Sequence, residues 1–290
     1  MANIMYHGNC HCGAYRFEVA LPKITQVIAC DCSLCAKKGH LWVVPSPSEF
    51  KVTRDDGKLV KYRSEALHNQ FCNICASPVL GEHVAGPLAG KLAINARTIL
   101  EIDPFEFEVA NIHTDDHRET PSTVSSDGTG AIHKGSCHCG KVLVELLTPL
   151  EDELSEDNCS ACRRVSLSQR KSVDLSACRI TAQVLTYPTK EQVRIDGKEH
   201  TLEYARGNKW TAYAFCGTCG VSMFVENYGP PEGASFFDRV PAERREFVLS
   251  VYQKNINSLP VQVRSLDSVD LGSLKVQRKN TGTEGYVLDP

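Results

Sequence analysis

The chain repeats itself, and the repeat is carried by cysteines. Gly8-Asn9-Cys10-His11-Cys12-Gly13 returns 127 residues later as Gly135-Ser136-Cys137-His138-Cys139-Gly140, and Cys32-Ser33-Leu34-Cys35 returns in the same register as Cys159-Ser160-Ala161-Cys162. A third cluster, Phe71-Cys72-Asn73-Ile74-Cys75, returns 144 residues later as Phe215-Cys216-Gly217-Thr218-Cys219, so the second copy holds 17 extra residues (144 − 127) between its middle and last clusters. Six of the seven cysteines in the first copy find a cysteine partner in the second, which composition alone does not produce. Self-similarity at such a period marks two copies of one folding unit. A chain of 290 residues is long enough for each copy to bury its own core.

After each third cluster, Leu92-Ala93-Ile94-Asn95 and Leu249-Ser250-Val251-Tyr252 alternate as strands do and extend the repeat. Between the copies, a stretch rich in Ser, Thr and Gly with no apolar period reads as a linker. The expected organisation is a first domain over residues 1–119, a linker over 120–132, a second domain over 133–282 and a tail over 283–290. Tyr15-Arg16-Phe17-Glu18-Val19, Leu41-Trp42-Val43-Val44, Val142-Leu143-Val144-Glu145-Leu146 and Phe247-Val248-Leu249-Ser250-Val251 are short and rich in β-branched or aromatic residues, so each reads as a strand. Long stretches with helical periodicity are missing, and Ala242-Glu243-Arg244-Arg245-Glu246-Phe247 reads as one or two turns of helix. The fold class that follows is mainly β, with few short helices.

A net charge of −3 gives no electrostatic reason to expect nucleic acid or acidic membranes as partners. The N-terminus has no charged segment followed by an apolar one, and no apolar run is long enough to span a bilayer, so a cytoplasmic protein is expected. In that reducing compartment, fourteen clustered cysteines read as metal ligands or catalytic groups rather than disulfides.

Their spacing says which. Cys10 and Cys12 with Cys72 and Cys75 form a C-X-C plus C-X-X-C set, two pairs from distant turns that can close on one ion as a tetrahedral four-thiolate zinc site with no open position. Cys137, Cys139, Cys216 and Cys219 repeat that set. Cys30-Asp31-Cys32-Ser33-Leu34-Cys35 differs in kind, because three thiols within six residues leave a fourth position on an ion for water or substrate. An exogenous thiol held there would be favoured as thiolate. The other reading of the trio is a further structural zinc whose fourth ligand is a distant His or Asp.

The sequence resembles the glutathione-dependent formaldehyde-activating enzyme family, which also contains centromere-protein-V-like proteins. The resemblance rests on the ordered clusters at residues 8–13, 30–35 and 71–75 and on Ile94-Asn95-Ala96-Arg97-Thr98-Ile99 followed by Asp103-Pro104. It covers nearly all of residues 5–118 and recurs with gaps over roughly 133–280. It implies a zinc-stabilised, Mss4-like (β-tent) fold and a carbon–sulfur lyase reaction, the reversible addition of glutathione to formaldehyde. On that resemblance Cys10, Cys12, Cys72 and Cys75 hold a structural zinc, and Cys30, Cys32 and Cys35 a catalytic one. The implied partners are a small-molecule thiol and an electrophile. A zinc-stapled, non-catalytic binding or scaffold protein is the competing expectation.

The second copy departs from the pattern where catalysis would occur. Asp157 stands opposite Cys30, so Asp157, Cys159 and Cys162 offer a three-ligand site weakened by a harder oxygen donor. Lys37 and Lys38, like Arg163 and Arg164, directly follow the middle cluster, where they could receive the carboxylates of glutathione or lie on the solvated surface. His11 and His138 sit between paired cysteines and point away from the shared ion, as packing or supporting groups. His40 and Trp42 either line a pocket or belong to an ordinary strand, and Cys178 has no counterpart and reads as a small buried side chain.

Overall fold

In the computed structural model the described residues are 2–103, 106–114, 130–157, 183–205, 209–230, 240–267 and 269–279. The first copy runs β1 (Ile4–Asn9), β2 (Tyr15–Leu21), β3 (Gln26–Cys30), α1 (Ser33–Lys38), β4 (Trp42–Val43), β5 (Phe50–Asp55), β6 (Leu59–Arg63), β7 (Leu67–Cys72), β8 (Pro78–His83), β9 (Leu92–Asn95) and β10 (Glu108–Ile112). The second runs β11 (His133–Ser136), β12 (Leu143–Leu146), β13 (Leu154–Asp157), β14 (Val184–Thr186), β15 (Val193–Asp196), β16 (Thr201–Ala205), β17 (Thr211–Cys216), β18 (Ser222–Asn227), α2 (Ala242–Asn257), β19 (Val261–Gln262) and β20 (Val276–Lys279).

Each copy builds a three-stranded and a seven-stranded sheet. The orders are β1-β2-β5 and β10-β3-β4-β9-β8-β7-β6 in the first, and β11-β12-β15 and β16-β17-β18-β19-β14-β13-β20 in the second. Element for element these are the same topology, down to the parallel pairing of the last strand with the third, β10 with β3 and β20 with β13. β2 alternates fully buried and half-buried residues, the pattern of a sheet with one face on the core. β8 and β18 are buried almost throughout, as central strands covered on both faces must be.

Two of the expected strands are corrected. Phe247–Val251, and with it Leu249–Tyr252, lies inside the 16-residue helix α2, which also absorbs the short helix expected at Ala242–Phe247. Pro241 at its N-cap, Glu243 in its first turn and Lys254 in its last suit a helix, and Ser250 bonds back to the Phe247 carbonyl at 2.8 Å. None of its residues is buried, so no core selected an apolar stripe, and helical periodicity never appears in the sequence. The true counterpart of β9 is β19. Trp42 pairs with Asn95 as Leu185 pairs with Gln262, which sets Ile94-Asn95-Ala96-Arg97-Thr98-Ile99 over Val261-Gln262-Val263-Arg264-Ser265-Leu266. Thr98 caps the Asn95 carbonyl at 2.7 Å and Ser265 the Gln262 carbonyl at 2.6 Å, and Gly8 bridges Ile99 as Gly135 bridges Leu266. The second copy therefore carries a further 23 residues (167 − 144) between β18 and β19, and α2 occupies most of them. Most of the expected linker and the whole tail lie outside the described residues.

The two copies pack face to face by reciprocal contacts. His11 Nδ1 lies 3.1 Å from the Tyr204 hydroxyl, and its counterpart His138 Nδ1 lies 2.8 Å from the hydroxyl of Tyr62, the counterpart of Tyr204. Both ring pairs are edge-to-face, with centroids 5.5 and 5.4 Å apart. A contact of i with j that returns as j with i is the signature of an isologous, two-fold interface, here within one chain. Near its axis Phe71 and its counterpart Phe215 are buried together with Ala76, against Tyr62 and Tyr204. Arg97 and its counterpart Arg264 both approach the buried Glu156 carboxylate, at 3.0 and 3.6 Å. Leu34, Trp42 and Leu67 of the first copy share one core cluster with Val142, Val144 and Val261 of the second.

Gly220 shows how close this contact is. Its φ is +71°, and a Cβ there would sit 2.6 Å from the Phe71 ring and 2.7 Å from Lys38 Nζ. Gly220→Ala is therefore expected to lose about 1–3 kcal/mol through strain and overpacking, read as a lower Tm. An unchanged Tm would mean that the two copies are not docked this closely.

Candidate metal centre

The C-X-C turns sit where β1 leads into β2 and where β11 leads into β12, and the C-X-X-C turns join β7 to β8 and β17 to β18. Gly13 and Gly140 take φ of +77° and +78° just after the first pair, and Ala76 and Gly220 take +59° and +71° just after the second. These left-handed residues curl the backbone so that both thiols of each pair face inward. Cys10 and Cys12 Sγ lie 3.6 Å apart, as do Cys12 and Cys72, and in the second copy the matching distances are 3.4 and 3.5 Å. Four thiolates at about 2.3 Å from one ion would stand roughly 3.8 Å from each other, whereas a disulfide would need about 2.05 Å. All four Sγ atoms of each set lie within 4.8 Å of one another, and every described cysteine is a free thiol. The backbone N–H of Tyr15 points at Cys10 Sγ and that of Val142 at Cys137 Sγ, both at 3.3 Å, each favouring a thiolate. Hydrogen bonds from Cys10 and Cys12 hold the Cys72 thiol far below its usual range, and those from Cys137 and Cys139 do the same for Cys216. The donor set and its spacing fit a tetrahedral, thiophilic ion in both copies.

Cys30 ends β3, Cys32 caps α1 and Cys35 lies in its first turn, so one strand-to-helix corner delivers all three thiols. All are buried, at 6%, 1% and 1% exposure. Cys30 Sγ is 3.4 Å from the Thr114 hydroxyl, and the Trp42 indole N–H donates to Cys35 Sγ at 3.4 Å. Hydrogen bonds from Cys32 and Cys35 pull the Cys30 thiol well below its usual range, the bond to Cys30 pushes Cys32 up to about 12, and burial pushes Cys35 up further. A bound cation would have to displace the remaining protons.

The structure adds a group that the sequence did not single out. His83, the last residue of β8, brings a ring nitrogen within 4.8 Å of both Cys30 and Cys35 Sγ. Its imidazole is 1% exposed, burial holds it below the usual imidazole range, and neither ring nitrogen has a hydrogen-bond partner. The trio is contiguous in sequence and easy to see, whereas His83 arrives from a strand about 50 residues away. His40 is also buried without a partner for either nitrogen, stacked on Trp42 with centroids 4.3 Å apart.

Lys37 and Lys38 face the second copy. The Lys37 ammonium pairs with Asp267 and donates to the Ser136 carbonyl at 2.9 Å. Lys38 is fully buried, lies 4.7 Å above the Phe71 ring and donates to the Gly220 carbonyl at 2.6 Å and the Cys219 carbonyl at 3.3 Å. Burial lowers its pKa to about 8, so it remains a cation at neutral pH beside the thiols of the second four-cysteine set. His11 and His138 turn away from their sulfurs into the reciprocal contacts, His138 also meeting Ser33 Oγ at 3.0 Å. Asp157 ends β13 opposite the position of Cys30 in β3, but its side chain, like Cys159, Cys162, Arg163, Arg164 and Cys178, lies outside the described residues.

The sequence model of the glutathione-dependent formaldehyde-activating enzyme matches residues 5–110 and again residues 132–236. The chain belongs to this family. Both of its copies are family domains in tandem, and the second match stops just short of α2, the element without a counterpart in the first copy. A solved Rhodobacter sphaeroides protein is 21% identical over 51% of this chain and 99% of its own length, with a TM-score of 0.33, too low to carry an argument. Among the described residues no helix is long and apolar enough to cross a membrane.

If the four-cysteine sets each hold an ion, Cys72→Ala and Cys216→Ala should each remove one metal per chain. Each should also lower thermal stability by several kcal/mol, since ligation at such sites is folding free energy. Metal analysis with thermal denaturation checks this, and full metal content in both variants would dismiss the two sites.

Proposed function

We propose that the protein is a zinc-dependent carbon–sulfur lyase that joins a thiol, glutathione by family membership, to an aldehyde or related small electrophile, and reverses that step. The observation that carries this reading is the asymmetry between the copies. Both keep the four-thiol staple, yet among the described residues only the first brings thiols, Cys30 and Cys35, together with a buried imidazole, beside Trp42 and Thr114. In this reading Cys10, Cys12, Cys72 and Cys75, and Cys137, Cys139, Cys216 and Cys219, hold structural zinc, and Cys30, Cys32 and Cys35 hold the reactive one. A second reactive site at Asp157, Cys159 and Cys162 is not needed. The domain limits at 1–119 and 133–282 and a reducing, cytoplasmic setting belong to the same proposal.

Zinc bound by the trio would favour the thiolate of an incoming thiol and so supply the nucleophile. The chain's own residues set the geometry. The indole N–H of Trp42 fixes Cys35, the Thr114 hydroxyl fixes Cys30, and the Asp31 carboxylate accepts from the Thr114 backbone N–H at 2.8 Å, holding that segment in place. In the forward direction the sulfur adds to the carbonyl carbon, the C=O π pair moves onto oxygen, and the thiol's proton ends on that oxygen as a hydroxyl. Cleavage runs the same steps backward. Thiols add to aldehydes readily, so holding and orienting both reactants is the main requirement.

The near-complete burial of the trio favours a second reading, a closed structural site in a non-catalytic scaffold. One comparison separates the two. For a catalytic site, Cys35→Ala should lower zinc from about three ions per chain to two and abolish glutathione binding, with Tm within a few degrees of the parent, by metal analysis, calorimetry and thermal melting. Global unfolding of Cys35→Ala would favour the scaffold, and two ions in the parent chain would end the catalytic reading.

A further inference from the structure

We propose that His83 is itself a ligand of the ion held by Cys30, Cys32 and Cys35, filling the fourth position at rest and giving it up when a substrate thiol enters. The inference rests on the reading of the trio as a metal site and deepens it. Cys30 and Cys35 Sγ and a His83 ring nitrogen all lie within 4.8 Å of one another, and among the described residues no other imidazole joins such a group. His83 is 1% exposed and both ring nitrogens lack a partner, an unfavourable arrangement for a buried polar ring unless some other group takes up the lone pair. An ion at the trio would take it up. The group of Cys30, Cys35 and His83 holds two sulfurs and one imidazole nitrogen, and Cys32, whose thiol hydrogen-bonds with both Cys30 and Cys35, would complete an ordinary tetrahedral donor set.

The second copy supplies an independent observation. The β7–β8 and β17–β18 registers place His83 opposite Asn227, and the β3–β10 and β13–β20 registers place Cys30 opposite Asp157. Asn227 is fully occupied elsewhere, donating to the Asn255 carbonyl at 3.0 Å and to Ser258 Oγ at 3.2 Å. Where the first cysteine of the trio is missing, the imidazole is missing as well.

The space for His83 is also built. A Cβ on Gly81, two residues earlier on the same face of β8, would lie 2.6 Å from the Trp42 ring, so the bare glycine lets the indole lie beside His83, with centroids 5.2 Å apart. The second copy has Leu185 and Val225 at the Trp42 and Gly81 positions, a volume exchange that fills the core without a donor for a sulfur.

The test uses the full chain loaded with cobalt(II), with Cys35→Ala as the reference that contains only the two four-thiolate sites. The parent-minus-reference spectrum should show the visible bands of four-coordinate cobalt. In His83→Ala those bands should shift and cobalt affinity at this site should fall by at least about 10- to 100-fold, the range lost when a mere supporting group of a ligand is removed. Free imidazole should restore the parent spectrum, and added glutathione should shift the parent bands in the same direction as His83→Ala does. Should His83→Ala fail to fold, the ring nitrogen-15 shifts of His83 in the zinc-loaded parent should show one metal-bound nitrogen that is absent from zinc-loaded Cys35→Ala. Unchanged bands and affinity in His83→Ala, or two unligated nitrogens in the parent, would overturn the role of His83 alone. A parent indistinguishable from Cys35→Ala in cobalt content would overturn the trio as a metal site, and this inference with it.

Discussion

The convergence of four thiols in each copy is the constraint on which the architecture depends. In each copy the four-cysteine set ties the turn after the first strand to the turn in the middle of the seven-stranded sheet, so one ion would join the small sheet to the large one. Without such a clamp, four buried thiols at van der Waals separation contribute little beyond their own burial. Burial and mutual hydrogen bonding pull the thiols of each set in opposite directions, Cys12 and Cys72 down against Cys10 and Cys75 up, and Cys137 and Cys216 down against Cys139 and Cys219 up. A dication removes that conflict.

Once the staples are in place, the tandem arrangement is close to a homodimer written into one chain. The reciprocal His–Tyr pairs and the central Phe71–Phe215 contact obey a two-fold relation, and the exceptions show what the duplication released. Ala76 and Gly220 are counterparts with the same left-handed backbone, and the bare glycine lets the Lys38 ammonium come close to it. Its buried ammonium then lies against the carbonyls of the other copy's C-X-X-C turn, where a four-thiolate site with a dication would carry net negative charge. A cation placed there by the first copy offsets charge in the second. Lys38 thus links the first copy to the four-cysteine set of the second, in addition to the apolar burial they share.

Much of this was legible in the sequence, because cysteine spacing reports ligand geometry directly. The duplicated C-X-C and C-X-X-C sets, the odd trio at residues 30–35 and the β character of Tyr15–Val19 all follow from local pattern. What was not legible depends on register or on the partner copy. Phe247–Val251 has strand-like residues, but it sits in a solvent-exposed helix whose choice of structure rests on caps and end charges rather than on a buried stripe. The second Ile94–Ile99 motif was hidden because only Arg264 is identical, while Val261, Gln262, Ser265 and Leu266 are conservative exchanges displaced by the inserted helix. Lys37 and Lys38 read as substrate-facing or solvated because nothing local indicates that Asp267 and Gly220 lie opposite them. His83 was invisible for the same reason, since a lone histidine at a strand end has no motif.

The differences between the copies also bear on how a buried trio could meet a substrate. The corner that carries Cys30, Cys32 and Cys35 is covered on one side by the second copy, through Lys37 and Ser33, and on another by the loop after β8, where Gly86 comes so close to Thr114 that a Cβ would lie 2.2 Å from its hydroxyl. The interface side is fixed by a buried ion pair and an aromatic cluster, so opening it would expose Glu156, Arg97 and the Phe71–Phe215 contact together. The loop side is tied by the Val84 N–H to the Ala66 carbonyl at 3.0 Å and by the Gly90 N–H to the His83 carbonyl at 2.8 Å, and its glycines at 86 and 90 use left-handed backbone. That loop follows His83 directly, so any displacement of it would act first on the residue proposed for the fourth position.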